Sequence, residues 1–505
     1  MIEVSLDWVA KAVDGDLLPT SAKDLKIKQV STDTRSIKAG DLFIALIGDK
    51  FDAHDYLDKA IEQNVSALII SDKNEHVKGL QSPTILVKDT RIALGQLATK
   101  VKQSCKVKTV GITGSSGKTT VKEMTSSILK TRGKVLATKG NFNNDIGVPL
   151  TLLDIEAQHD YAVIEMGANH QGEIEYTCNL AKPDVAAIIN AAPAHIEGFG
   201  SLFGVARAKS EIIKGLDKNA VVILNHDSSF FEFWQGKSST QQILSFSYDS
   251  DKGDFHAQKV SINKEGCAEF ELVTPIGNTA IRLRVPGTHN VGNAVLAAAL
   301  SISVGANLAN VKEGLFAMQS VAGRLNVSMV NSQIKLLDDT YNANVGSVKA
   351  ALDLLASFDG FKVFVFGDMG ELGDQAPMYH EQIGEYAKQH QIDALISCGE
   401  LSAFASSAMQ NQGMACQNVE EALEALIQLI SPLVIDSHQK ISSGLAADDQ
   451  SIIILVKGSR GARMERVIDA IQAYDFDPHK LAAYQLRNIE HSGKTKITNN
   501  NKVTK

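Results

Sequence analysis

One stretch constrains this chain more than any other: Gly111-Ile112-Thr113-Gly114-Ser115-Ser116-Gly117-Lys118-Thr119-Thr120. The β-branched run before it reads as a strand, and VKEMTSSILKTRG after it reads as a helix ending near Gly133. A loop in that setting aims backbone N–H groups at phosphate oxygens, and the helix N-terminus adds partial positive charge. Glycines admit a close approach, Lys118 is suited to neutralise terminal phosphates, and Thr119 can ligate Mg²⁺. The generic G-x-x-x-x-G-K-[ST] spacing would put its first glycine at 112, where this chain has isoleucine; the glycines stand at 111 and 114. The plain alternative is a Gly-rich turn with an incidental lysine, and the flanking strand and helix disfavour it.

A chain of 505 residues is too long for one core, and at roughly 150 residues per domain about three domains are expected. With 44% hydrophobic and 21% charged residues, the composition is that of an ordinary soluble protein. No apolar run has the length of a membrane span, and the first residues carry no secretory signal pattern, so a cytoplasmic location is expected. The five cysteines lie far apart with no C-x-x-C pair, which argues against a disulfide framework or a cysteine zinc site. A formal charge of −8 disfavours a nucleic-acid partner held by bulk positive charge.

Punctuation and pattern divide the chain into residues 1–103, 104–327, 328–478 and a polar tail, 479–505, expected to be disordered. In the first segment, 41–48 and 66–72 read as buried strands around a helix at 54–64. In the second, 161–166, 185–190 and 220–225 read as further strands that end in polar residues, as the functional edge of an α/β sheet does. The third repeats the alternation, with strands IKLLDD, KVFVFGD, DALISCG and IIILVKGS and helical runs such as VKAALDLLASF. The expected fold class is α/β: a mixed α/β N-terminal domain, a central P-loop domain with a mostly parallel sheet, and a Rossmann-like, doubly wound C-terminal domain.

A phosphate loop needs acids to hold its metal. Glu165 closes the YAVIE strand where such a carboxylate is expected, although a plain strand-end acid would read the same. His195 also follows a strand, and a lone histidine is more often structural than a ligand. Lys209, in ARAKSEI, reads locally as a solvated helix lysine. Thr34 and Arg35 precede the DLFIAL strand and read equally well as a nucleotide contact or a surface turn.

Taken together, these residues resemble the Mur ligases, the ATP-dependent amide-forming enzymes of bacterial cell-wall precursor synthesis. Their T-G-x-x-G-K-T-T loop corresponds to Thr113–Thr120, which accounts for the shifted glycine. The resemblance continues through Asn141-Phe142-Asn143-Asn144 with Gly147, Glu165 in EMGA, His195, GTHNVGN at 287–293, Gly323-Arg324, DDTYNAN at 338–344 and KGSRG at 457–461. These motifs fall in order from about residue 31 to 470. Within the family, DDTYNAN is similar to members that add D-alanyl-D-alanine to a UDP-N-acetylmuramoyl tripeptide. Val345 departs from the pattern, since a proline often follows there.

The resemblance implies ATP and two Mg²⁺ ions as cofactors, with Gly114, Ser115, Ser116, Gly117, Lys118, Thr119 and Thr120 around the phosphates. It implies Asn290 and Asn293 near the adenine, and Arg324 and Asp339 reaching the nucleotide from the domain junction. It also implies Thr119 and Glu165 on the first metal, and His195 with a carbamylated Lys209 on the second. Lys118, Lys209, His195 and Glu165 would form the catalytic group, while Thr34, Arg35, Asn144, Tyr341, Asn342 and Asn344 would contact the two small-molecule substrates. A monomer without membrane insertion is expected. A folylpolyglutamate synthetase would lack the first domain, and a P-loop switch would carry N-K-x-D, whereas this chain has Asn225-His226-Asp227.

Overall fold

The computed structural model describes residues 1–48, 50–71, 82–193, 196–248, 250–442 and 451–482. The first unit holds a five-stranded sheet in the order Asp16–Leu18, Thr84–Val87, Ala67–Ser71, Leu42–Ile44, Val30–Ser31. Its first strand runs antiparallel and the others parallel. The helix expected over 54–64 is instead a 3₁₀ turn, Ala53–Tyr56, running into an α-helix, Leu57–Glu62. The tighter opening is held by Asp52, whose carboxylate accepts from the His54 amide at 2.9 Å. The His54 ring is buried, and its Nε2 accepts from the Ser71 amide at 3.0 Å, so Nδ1 carries the proton towards Asp52.

The central sheet has six parallel strands, ordered Gln242–Phe246, Val221–Asn225, Val185–Ile188, Lys108–Thr113, Tyr161–Glu165, Val135–Ala137. Alternate side chains feed two cores. Ala162, Ile164, Ala186, Ile188, Val222 and Leu224 join a core continuous with that of the first unit. Val110, Ile112, Val163, Ala187 and Ile223 face the helices Lys118–Lys130 and His289–Ser303. The helix after the phosphate loop stops at Lys130, before Gly133, which is not in the left-handed region. A three-stranded antiparallel sheet, His256–Ile262, Cys267–Thr274 and Gly277–Pro286, follows the parallel one.

In the third unit the order is Asn326–Met329, Ile334–Asp339, Ile452–Lys457, Phe361–Gly367, Ala394–Cys398, Gly413–Cys416, parallel except for the first strand. Phe364, Phe366, Leu395, Ile453 and Leu455 pack on one face, and Val363, Val365, Ile396, Ile454 and Val456 on the other. That two-residue alternation puts helices on both sides. The break expected at 327/328 falls inside the strand Asn326–Met329, whose pairing with Ile334–Asp339 places it with the third unit. Of the expected tail, residues 479–482 are helical and Leu481 is fully buried in the third unit's core. Residues 483–505 lie outside the described residues.

Candidate active site

The carboxyl ends of the central and third sheets face a common cleft of about 1070 Å³. Its floor is the phosphate loop. Gly117 has φ 82° there, and a Cβ on it would lie 2.9 Å from Asn293 Oδ1. Gly114 packs against Ile189, where a Cβ would come within 2.8 Å. Both positions therefore require glycine, one for conformation and both for space. The Ser115 and Ser116 amides donate to Asn190 Oδ1 at 3.1 and 3.0 Å, so Asn190, from the end of the neighbouring strand, sets the loop's shape. The first amides of the Lys118–Lys130 helix have no partner within the helix and point toward the cleft end.

Lys118 reaches back over the loop, its Nζ donating to Gly114 O at 2.7 Å. Burial, with the Arg324 charge adding to it and Glu165 opposing, lowers its pKa from the ordinary lysine value. Thr119 Oγ1 donates to Glu165 Oε2 at 3.0 Å, and Asn143 Nδ2 donates to Glu165 Oε1 at 2.8 Å. The strand end carrying Glu165 is itself fixed by its amide, which donates to Thr138 Oγ1 at 3.0 Å. Thr119 and Glu165 together offer hard oxygen donors beside a phosphate loop, which is the donor set that Mg²⁺ takes. Among the described residues no cluster of three or more His, Cys, Asp or Glu side chains could hold a metal, so an ion here would need phosphate oxygens as further ligands. His195 lies outside the described residues.

Lys209 is not a solvated lysine. It is 1% exposed on the helix Leu202–Gly215 and lines the cleft, with its Nζ 5.5 Å from the Phe199 ring centroid. Burial first, and then the Lys118 charge, push its pKa down to about 7, against the opposing pull of Glu211 and Glu173.

Arg324 joins the second and third units. Its Nη2 donates to Thr119 Oγ1 at 3.0 Å, and its guanidinium lies 4.5 Å from the Tyr341 ring centroid. Its Nε is buried and meets no hydrogen-bond partner among the described residues. Asp339 is buried against Lys457, whose Nζ donates to it at 2.5 Å and to Asn342 O at 2.9 Å; burial lowers the Lys457 pKa. Asn290 and Asn293 are hydrogen-bonded to each other at 2.9 Å beside the loop. Asn344 caps the helix Val345–Ala356 by accepting from the Ser347 amide at 2.9 Å, so the valine in place of proline leaves a complete helix start. Asn144 Oδ1 likewise accepts from the Gly147 amide at 2.8 Å.

The structure thus gathers Ser115 to Thr120, Glu165, Lys209, Asn144, Asn290, Asn293, Arg324, Asp339, Tyr341, Asn342 and Asn344 around one cleft. Gly114 lies just beneath, tied to it by Lys118. Thr34 and Arg35 do not line it: the Arg35 guanidinium pairs with Asp33 at 2.7 Å, and the Thr34 carbonyl accepts from Gln63 at 3.0 Å. Sequence reasoning had not singled out Asn190 or Thr138, and although it named Asp339 and the motif holding Lys457, it did not pair them. Only Asn190 carried a local signal, as the polar residue closing a buried strand.

Comparison with known proteins agrees with this geometry. Residues 26–102 match the Mur ligase family catalytic domain, 112–301 the Mur ligase middle domain, and 323–459 the Mur ligase glutamate ligase domain. The UDP-N-acetylmuramoyl-tripeptide–D-alanyl-D-alanine ligase of Escherichia coli (strain K12) is 44% identical over 473 residues, covering 94% of this chain and 99% of that one. The crystal structure of MurF from Acinetobacter baumannii superposes with a TM-score of 0.86 at 35% identity, over 94% of this chain and 99% of the other. MurF ligase from Thermotoga maritima in complex with ADP gives 0.75 at 25% identity, over 88% and 97%. With a phosphate loop, a cleft shared between units and full-length relatives on the same plan, the chain belongs to the Mur ligase family.

Proposed function

We propose that this chain is an ATP-dependent ligase that joins D-alanyl-D-alanine to UDP-N-acetylmuramoyl-tripeptide in peptidoglycan precursor synthesis, releasing ADP and phosphate. The observation that carries this reading is the shared cleft, where the phosphate loop and the Thr119–Glu165 pair face Arg324, Asp339 and Lys457. The Escherichia coli relative named above, 44% identical over nearly its whole length, carries that activity in its name.

A carboxylate is a poor electrophile, so amide formation in water requires activation. The tripeptide's terminal carboxylate oxygen attacks the γ-phosphorus of ATP, and the bond to the β-phosphate oxygen breaks to release ADP. The dipeptide amine then attacks the acyl phosphate carbon, loses a proton, and phosphate leaves from the tetrahedral intermediate. Lys118 and the first amides of its helix hold the transferring phosphoryl group. Thr119 and Glu165 would hold Mg²⁺, whose contribution is to neutralise phosphate charge. Arg324, bridging the loop and Tyr341, ties nucleotide occupancy to the third unit's position, and closure of the units keeps water from the acyl phosphate.

Lys209 is assigned as a carbamate: its neutral amine adds CO₂ and loses a proton, giving an anion that, with His195, would hold a second Mg²⁺ and help neutralise phosphate charge. Its burial and lowered pKa favour the neutral amine that this addition requires. The division 1–103, 104–327, 328–478, with the last break moved ahead of Asn326, assigns the UDP moiety to the first unit through Thr34 and Arg35. It assigns ATP to the second and the dipeptide largely to the third. The chain is read as a cytoplasmic monomer; among the described residues no helix is long and apolar enough to cross a membrane. Phosphate release tests the reading. It should require ATP, D-alanyl-D-alanine and a UDP-tripeptide together, and release that ignores the amine or the carboxylate substrate would remove it.

A further inference from the structure

The lysine and arginine side chains lining the cleft among the described residues are Lys118, Lys209, Arg324, Lys457 and Arg460. Four are committed. Lys118 is folded onto the phosphate loop, Lys209 is buried beside Phe199, Arg324 binds Thr119 and covers Tyr341, and Lys457 is spent on Asp339 and Asn342. Arg460 differs. Its side chain is 67% exposed and is held at a single point, Nη1 donating to Glu465 Oε1 at 3.2 Å. Among the described residues no second hydrogen-bond partner meets its planar fork.

Its position is nevertheless fixed by the backbone. Arg460 follows the strand Ile452–Lys457, at the carboxyl edge of the third sheet. A Cβ on Gly458 would lie 2.6 Å from Met464 Cγ and 3.1 Å from Gly367 Cα, so the loop sits flush on the neighbouring strand end only because 458 is glycine. The Ser459 amide donates to Asp368 O at 3.0 Å, and the Ala462 amide to Ser459 O at 3.0 Å. The guanidinium therefore leaves from a pinned turn and can reorient at its tip.

We propose that Arg460 receives the free carboxylate of the incoming dipeptide and makes a C-terminal acid, rather than an amide, the preferred acceptor. The inference rests on the ligase reading above. Bond formation consumes the dipeptide's amine, and its other end remains a carboxylate that closure of the units takes out of water. A desolvated carboxylate without a partner is costly, and a guanidinium fork matches it with two parallel hydrogen bonds. Among the described residues, Arg460 is the cation in the third unit's wall of the cleft that is held only by an exposed pair, with Glu465, rather than inside the sheet edge.

The test compares D-alanyl-D-alanine with D-alanyl-D-alanine amide as acceptors for the full-length enzyme, Arg460→Ala and Arg460→Lys. The wild type is expected to use the amide about 30-fold less efficiently in kcat/KM, the loss typical of removing one partner of a desolvated charge pair. Arg460→Ala should lose a similar factor on the acid and discriminate less than about 3-fold between the two, since the interaction is removed once from either side. Arg460→Lys, which keeps the charge and loses the fork, should fall between. The apparent KM for ATP serves as the internal check on folding and should hold in both variants. Unchanged discrimination in Arg460→Ala, an equal loss on both acceptors, or a parallel rise in the KM for ATP would overturn the assignment. Absence of turnover by the wild type with either acceptor would overturn the ligase reading, and this one with it.

Discussion

Replacing Lys209 by methionine separates its electrostatics from its packing, because methionine fills similar space without an amine. With its pKa pushed down to about 7 by burial, Lys209 is neutral in a large share of molecules near pH 7.5, where an ordinary lysine is almost wholly protonated. Between about pH 7 and 10.5 the unfolded chain holds a proton on this residue that the folded chain has released, so stability rises with pH across that window. Below pH 7 both states are protonated and the full penalty of burying the ammonium applies. Integrated from pH 6 to pH 9, the group should add ~2–3 kcal/mol to the wild type and nothing to Lys209→Met. In buffer freed of CO₂, urea midpoints at the two pH values should therefore show the variant's advantage at pH 6 shrinking by that amount at pH 9. A gap that does not change with pH would refute the claim that burial holds this amine near neutrality. Adding ¹³C-bicarbonate should then give the wild type a carbamate resonance that Lys209→Met lacks. Turnover should be nearly absent in the variant, with partial rescue by a small carboxylate.

The remaining expectations are simpler. Lys118→Ala should abolish turnover while melting with the same cooperativity as the wild type, because its one strong contact is with the loop carbonyl of Gly114; near-normal activity would remove its phosphate role. Arg35→Ala should raise the apparent KM for the UDP-tripeptide and leave that for ATP nearly unchanged, since the side chain is exposed and, among the described residues, pairs only with its neighbour Asp33; equal effects would point to general destabilisation. ATP analogue plus UDP-tripeptide should lower the radius of gyration in small-angle scattering, through Arg324 and the junction. An unchanged radius would count against closure.

How much could be read in advance followed how local each signal was. The phosphate loop was legible because strand, glycines, lysine and helix are contiguous, and Glu165 because a strand end fixes its place. The roles of Asn143 and Asn190 were not, although Asn143 stood in a family motif and Asn190 closed a buried strand, since a carboxamide acquires its role only when another chain segment is brought against it. Lys209 looks solvated in sequence because one helix face is polar, yet Leu202–Gly215 is covered on more than one side and the ammonium ends up inside. The antiparallel strands 256–286 do alternate, as in CAEFELVT, but between two α/β patterns the turns at Asn263–Gly266 and Thr274–Gly277 went unread. The start of the third unit was read two residues late for a related reason: Asn326–Met329 alternates over too few residues to be seen as a strand until its partner is known. Motif order across the chain supplied what local reading could not, down to the residues on either side of the domain junction.

The proposed chemistry is tested most directly by the fate of one oxygen atom. UDP-tripeptide labelled with ¹⁸O in its terminal carboxylate is incubated with ATP, Mg²⁺ and D-alanyl-D-alanine, and the products are weighed by mass spectrometry. If the carboxylate takes the γ-phosphoryl group before the amine attacks, each new amide leaves one ¹⁸O in the phosphate released. Amide formed with unlabelled phosphate, the label remaining in the ligated peptide or passing to water, would contradict the acyl-phosphate route and the account of the cleft built on it.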